Sequence, residues 1–224
     1  MTRARYDGFA GWYDDYQAGR MREVTELAES LTRALLPAGS GWALDLGCGT
    51  GRHYQTISAA GYDVVGVDLS GDQLLRTSNR GEVAVQGDAA VLPFRAAMFQ
   101  AVVTVMTATD LEDLATALVD ARRVTAEKGT LVLVMAHPCF GGVFEEGHPD
   151  GSVAVSPGYR EHRWYDNHPR LGDGIRSRVG TMNVPLPALL NAVAHAGWHL
   201  ERTEEDSRSS HVPSLLGIRG RAVD

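Results

Sequence analysis

Apolar positions along this chain fall into two rhythms, and the change from one to the other sets out its architecture. Residues 3–18 and 20–36 are compatible with helices, the second ending before Pro37 and the break Ala38-Gly39-Ser40-Gly41. From residue 42 short apolar runs rich in β-formers take over. They predict strands near 42–46, 63–67, 82–86, 100–106 and 130–136, with helices near 51–60, 71–79 and 111–125 between most of them. Such alternation implies an α/β fold, a Rossmann-like, doubly wound and mostly parallel sheet covered on both faces.

After His137-Pro138 the rhythm lapses. Residues 138–184 are rich in Gly, Pro, His and aromatics without a sustained helical period, and read as an insertion over the sheet edge. Residues 185–196 then read as a helix, and 198–203 and 212–219 as two strands joined by a polar turn. The expected organisation is a single domain over 1–224. It comprises an N-terminal helical lid (1–40), a cofactor-binding core (41–136), a substrate cap (137–184) and a closing helix and strand pair (185–224).

The first strand runs directly into a glycine-rich turn, Asp45-Leu46-Gly47-Cys48-Gly49-Thr50-Gly51, and Asp68 ends the next apolar run. Glycines at alternate positions allow a sharp turn and close approach of a ligand, and an acid about twenty residues further on suits a ribose diol. A dinucleotide fingerprint would place its third glycine at position 52, which is Arg52. No Gly-Lys-Ser or Gly-Lys-Thr phosphate motif occurs either. The pattern therefore points to a nucleoside cofactor without a pyrophosphate.

Leu44–Gly51, Val64–Ser70, Gly87-Asp88-Ala89 and Leu92-Pro93-Phe94 resemble, in order and spacing, the motifs of small-molecule class I S-adenosylmethionine-dependent methyltransferases. The resemblance covers roughly 41–136 and implies S-adenosyl-L-methionine as cofactor, with S-adenosyl-L-homocysteine as product. It implies that the turn Gly47, Cys48, Gly49, Thr50 and Gly51 receives the methionine part, with Asp45 among the cofactor-binding residues. Asp68, with Leu69, Ser70 and Gln73 behind it, would hold the ribose. Gly87, Asp88 and Ala89 would lie beside adenine, with Met106 and Thr107 closing the site. The family commonly completes a seven-stranded sheet with an antiparallel last strand.

Composition narrows the partners. The 44% hydrophobic fraction suits a globular core, and no apolar stretch approaches the roughly 20 residues that span a bilayer. A net charge of −7 argues against nucleic acid as a partner. The N-terminal residues lack a signal-peptide apolar run, so a cytoplasmic protein is expected, a monomer or a homodimer. The two cysteines form no zinc pattern, and irregularly spaced His148, His162 and His168 accompany no metal motif; no metal is expected.

Substrate should approach from the late strands, the N-terminal helices and the cap. Tyr6, Phe9, Trp12, Tyr13 and Tyr16 fall on one expected helix, as a lid or as core anchors. Tyr13, Tyr16, Phe140, Trp164 and Tyr165 are the substrate candidates with His137. His137 follows a central strand directly, and is either a general base or a residue that hydrogen-bonds loop backbone to hold the cap. His53, His195, His199 and His211 read as surface or packing residues. The family's common histidines after the fourth strand are replaced by Thr107-Ala108-Thr109-Asp110, and its usual acid before that strand by Gln100. The reaction expected is methyl transfer to oxygen or nitrogen of a small molecule, less readily to carbon. The alternatives are a different S-adenosylmethionine reaction, such as a cyclisation, and a non-catalytic binding module.

Overall fold

The computed structural model describes residues 4–207 and 212–223. The expected helix start at residue 3 and His211 lie outside them. In chain order the main elements are helices α1 (Ala10–Ala18) and α2 (Arg22–Leu35), strand β1 (Trp42–Leu46), α3 (Tyr54–Ser58), β2 (Asp63–Asp68), α4 (Gly71–Asn79), β3 (Ala84–Gln86), β4 (Phe99–Val105), α5 (Leu114–Val124) and β5 (Thr125–Ala136). The cap follows as two small hairpins, β6 (Glu145–Gly147) with β7 (Val153–Val155) and β8 (Trp164–Tyr165) with β9 (Thr181–Met182), the second enclosing the short α6 (Arg176–Val179). Helix α7 (Leu186–His195) and strands β10 (Trp198–Glu205) and β11 (Leu215–Ala222) end the chain. None of the described helices is long and apolar enough to cross a membrane.

Among the described residues seven strands form one sheet, in the order β10-β11-β5-β4-β1-β2-β3. The pairs among β1 to β5 are parallel, and β11 runs antiparallel to both its neighbours, β5 and β10. Strand polarity has a direct packing consequence. Alternate residues of β5 face opposite sides: Leu131, Leu133 and Met135 join one apolar cluster with Leu118 of α5 and Leu189 of α7, while Val132 and Val134 join the other with Leu31 and Leu35 of α2. Both faces are thus covered, as long apolar runs in parallel strands require.

Helix α2 buries Leu27, Ala28, Leu31, Thr32 and Leu35, one stripe along its length. Its tight seat depends on Gly217 of β11, where an added Cβ would stand 2.5 Å from Leu35 Cδ1.

Several element boundaries differ from those the apolar pattern predicts. Helix α1 begins at Ala10, because Gly8 adopts φ +86 and residues 5–8 turn instead; Tyr6 therefore precedes the helix, and Phe9 caps it. Helix α3 is shorter than 51–60, since the glycine turn consumes its start. Strand β5 begins at Thr125, with left-handed Lys128 (φ +58) at a register shift against β4.

Leu35→Ala should cost about 2–5 kcal/mol of stability through lost burial and a residual cavity. Gly217→Ala should also destabilise, by crowding Leu35. The double variant should lose less than the two singles together, because the smaller side chain makes room for the new methyl. Urea denaturation of the four proteins measures this; strict additivity would show that the two residues do not share the contact.

Candidate active site

The sheet reverses its winding between β1 and β4, and the crevice beyond the carboxyl ends of these strands is where open α/β sheets bind ligands. Into it opens a cavity of about 170 Å³, lined by Leu46, Val67 and Val105 at the strand ends and by the turn Gly47–Thr50. Gly47, Gly49 and Gly51 have φ of +75, +53 and +80. At Gly47 a side chain is excluded twice, by that conformation and by Thr107 Cγ2, 2.3 Å from an added Cβ. The Gly47 and Cys48 N–H groups both donate to the Val67 carbonyl, at 2.8 and 3.0 Å, so the turn folds back onto β2.

Asp68 fixes this junction. Its Oδ2 accepts from the Gly49 N–H at 2.9 Å and its Oδ1 from the Ser70 N–H at 2.8 Å. Ser70 caps α4 and donates its hydroxyl to Asp7 Oδ1 at 2.7 Å. Burial pushes the Asp68 carboxyl above the usual range, and the two backbone donors pull it back.

Leu69, Ser70, Gln73, Gly87, Asp88, Ala89, Met106 and Thr107 line the same cavity, so these candidate cofactor residues come together. Asp45 and Gly51 stand behind the lining. Asp45 is buried with both carboxylate oxygens unpartnered, and Gln73 is buried with its amide oxygen and nitrogen unpartnered. Desolvation, then the nearby charges of Asp68 and Glu82, push the Asp45 carboxyl up to about 8.

A larger cavity of about 410 Å³ adjoins the first, between α1, α2, the end of β5 and the cap. The two share the wall formed by Tyr13, Gln17, His53 and Met106. Met106 holds a left-handed conformation (φ +59), uncommon for a non-glycine residue and shared among the described residues by Ala97 and Lys128, of which only Met106 lines these cavities. Tyr16 lines the larger cavity and Trp164 the smaller, under the guanidinium of Arg5 at 3.7 Å.

Three of the candidate residues lie elsewhere. His137 is buried and lines neither cavity. Its Nδ1 accepts from the Cys139 N–H at 3.1 Å, so Nε2 carries the proton and donates to Glu205 Oε1 at 3.0 Å. With both nitrogens engaged and its ring stacked on Phe140, His137 ties the cap to β10 and is not poised as a base. Phe140 is thereby used in the same junction. Tyr165 donates to Glu161 Oε2 at 2.7 Å within the cap, away from both cavities.

Further polar groups without a distinguishing sequence pattern stand at the two cavities. Tyr6 donates to Asp110 Oδ2 at 3.2 Å, and Asp110 is paired with Arg176, which also reaches Thr109 Oγ1 at 3.0 Å. Burial and Asp110 push the Tyr6 phenol well up and the Tyr13 phenol to about 12, so both stay neutral hydroxyls. His53 is buried, and desolvation, then Arg52, lowers its imidazole to about 4, leaving it uncharged. Its position two residues beyond Gly51 was the one sequence signal that could have singled it out.

Residues 44–133 match the family described as a methyltransferase domain. This stretch of the chain is similar to that domain, and the whole fold is that of the class I S-adenosylmethionine-dependent methyltransferases. The methyltransferase fold is shared with an S-adenosylmethionine-dependent methyltransferase of Mesorhizobium loti, at TM-score 0.72 and 21% identity over 87% of this chain and 97% of that one. A Thermotoga maritima S-adenosylmethionine-dependent methyltransferase superposes at TM-score 0.69 with 18% identity, covering 98% of each chain. Among curated proteins, an uncharacterized protein of Mycobacterium tuberculosis is 29% identical over 168 residues, and one of Haemophilus influenzae 25% identical over 249. The chain spans about half the length of the mycobacterial relative, 53%, from 72% of its own.

The cofactor of that family fits the site. Asp68 retains lone pairs for a diol, the turn offers bare backbone, and Gln73 has unused hydrogen-bonding capacity. Asp68→Ala should weaken S-adenosylmethionine binding by about 10- to 100-fold, the loss of charge-assisted hydrogen bonds worth roughly 1.5–3 kcal/mol, read by calorimetric titration. Asp45 gives a second prediction. Its carboxyl is neutral in the folded chain up to about pH 8 but ionises near pH 4 when unfolded, so the folded state holds an extra proton in between. Stability contributed by this group therefore falls as pH rises through that window. Asp45→Asn should gain stability relative to wild type at pH 8 and lose most of that gain by pH 5, measured by denaturation without cofactor.

Proposed function

We propose that this methyltransferase acts on nitrogen or oxygen of a small molecule bound in the larger cavity. The observation that carries the reading is the shared wall. A crevice at the sheet's switch point, lined by the candidate cofactor residues, and a second, largely apolar chamber meet at Tyr13, Gln17, His53 and Met106, so a reactive group in one faces an acceptor in the other. When bound, S-adenosylmethionine supplies a methyl group on a positively charged sulfur. The protein's own work is then to align the acceptor and exclude water.

Met135, Val24 and Val184 give the chamber an apolar wall, while Arg176, held from the side of the smaller cavity by Asp110, and Asn183 supply polar edges. Asn183 braces the cap by donating to the carbonyls of Gly158, Tyr159 and Glu161. Arg20 reaches Asp173 at 2.6 Å, joining the N-terminal helices to the cap across the rim. A chamber of this size, in a chain of net charge −7, supports a small acceptor over a nucleic acid.

Incubation with S-adenosylmethionine and a panel of small amines, alcohols and phenols should yield a methylated acceptor and S-adenosylhomocysteine in equal amounts by mass spectrometry. A cofactor-derived product without a methylated acceptor would favour the cyclisation-type reaction instead. Thr25→Phe, which fills the chamber from α2, should lower turnover at least about tenfold while leaving S-adenosylhomocysteine affinity within about twofold. Equal loss of both would show that the two cavities do not have separate occupants.

A further inference from the structure

The geometry points to His53 as the group that receives the acceptor's nucleophile, an uncharged imidazole accepting a hydrogen bond from an N–H or O–H that is then methylated. This rests on the larger cavity being the acceptor site. Of the four residues shared by both cavities, Met106 is apolar, and Tyr13 and Gln17 are engaged with each other, Gln17 Nε2 donating to Tyr13 Oη at 3.1 Å. Gln17 Oε1 in turn accepts from Arg52 Nε at 3.3 Å. His53 differs from all three. Its Nδ1 is buried without a hydrogen-bond partner, a state that costs free energy unless a ligand supplies one.

The residue's placement is local and rigid. His53 leaves the glycine turn that shapes the cofactor cavity and caps α3, and its carbonyl accepts from the Ile57 N–H at 3.0 Å. The same short segment therefore sets the position of both partners in the reaction. The charged groups around it are Arg52 on its own segment, Asp14 and Arg20 from the N-terminal helices, and the Asp110–Arg176 pair across the wall. Burial and Arg52 disfavour the imidazolium, which leaves a ring lone pair free at neutral pH.

The chemistry fixes the acceptor class. A lone pair directed at the nucleophile attracts a neutral amine or hydroxyl and repels an anion, so the acceptor atom carries a proton. As the new heteroatom–carbon bond forms, the sulfur–carbon bond breaks and its electron pair stays on sulfur. An amine keeps its proton as the product ammonium and sheds it to bulk water on release, whereas an oxygen acceptor passes its proton to the ring, which returns it to water once the product departs; in both cases the weakly basic ring directs the nucleophile.

The test uses the full chain, saturated with S-adenosylhomocysteine, and a panel of small primary amines and phenols as probes. Nuclear magnetic resonance follows the His53 ring and, as reporters of the larger cavity, the Met135 and Met182 methyl groups. Probes that move the methyl signals should also move the His53 ring nitrogen, and the ring should stay neutral from pH 5.5 to 8. Probes that shift the methyl groups and leave His53 unmoved, or a ring that protonates in that range, would overturn the assignment. If no probe shifts the methyl groups, the acceptor-cavity reading itself fails and the assignment falls with it. With any acceptor that turns over, His53→Leu should lower kcat about tenfold or more at unchanged cofactor affinity, and His53→Gln should restore part of it. Full kcat in His53→Leu, or a pH profile that His53→Gln displaces, would contradict it.

Discussion

The carboxylate of Asp68 is the point on which the candidate site depends. It accepts one backbone N–H from the glycine turn after β1 and another from the residue that caps α4, so three separately folded pieces meet on two oxygens. Parallel strands bring their carboxyl ends to one edge, but the loops leaving them are free to diverge. An acid at the end of β2, buried enough for its hydrogen bonds to be strong, prevents that. Because the same oxygens retain lone pairs, the group that organises the empty site also offers itself to a ligand. Asp7 reaches the Ser70 hydroxyl and Gly8 donates to Asp72 Oδ2 at 2.5 Å, so the N-terminal segment is tied to the same corner.

Much of this was legible in the residues, for an identifiable reason. Strands β1, β2, β4 and β5 are apolar runs that end in turn formers, and a buried parallel strand has no other sequence form. The glycine spacing and Asp68 are constrained by backbone geometry and so leave a pattern that needs no tertiary knowledge. Side-chain direction beyond a strand end is different. His137 and His53 are the same residue type, each just past an element that borders a cavity, yet Glu205 and the Cys139 N–H hold one away from the site while the other stands in its wall. The partner that decides His137 lies 68 residues away in sequence. Gly8 shows the opposite failure, a local break in a helical pattern that was visible and was outweighed by the aromatic spacing around it.

The charges of the site follow one logic. Burial raises the carboxyls of Asp45, Asp68 and Asp110 together, while Tyr6, Tyr13 and His53 are held neutral and Arg176 is matched by Asp110. Acids crowded in a low-dielectric crevice destabilise one another until a cation arrives, so a ligand bearing positive charge gains more there than in water. A neutral wall toward the acceptor preserves that gain, since an imidazolium at His53 would place a second positive charge beside the first. The same argument explains why the imidazole is buried next to Arg52 instead of beside a carboxylate. An acidic partner would raise its basicity and with it the fraction carrying a proton, removing the lone pair at the pH where a neutral nucleophile needs to be held.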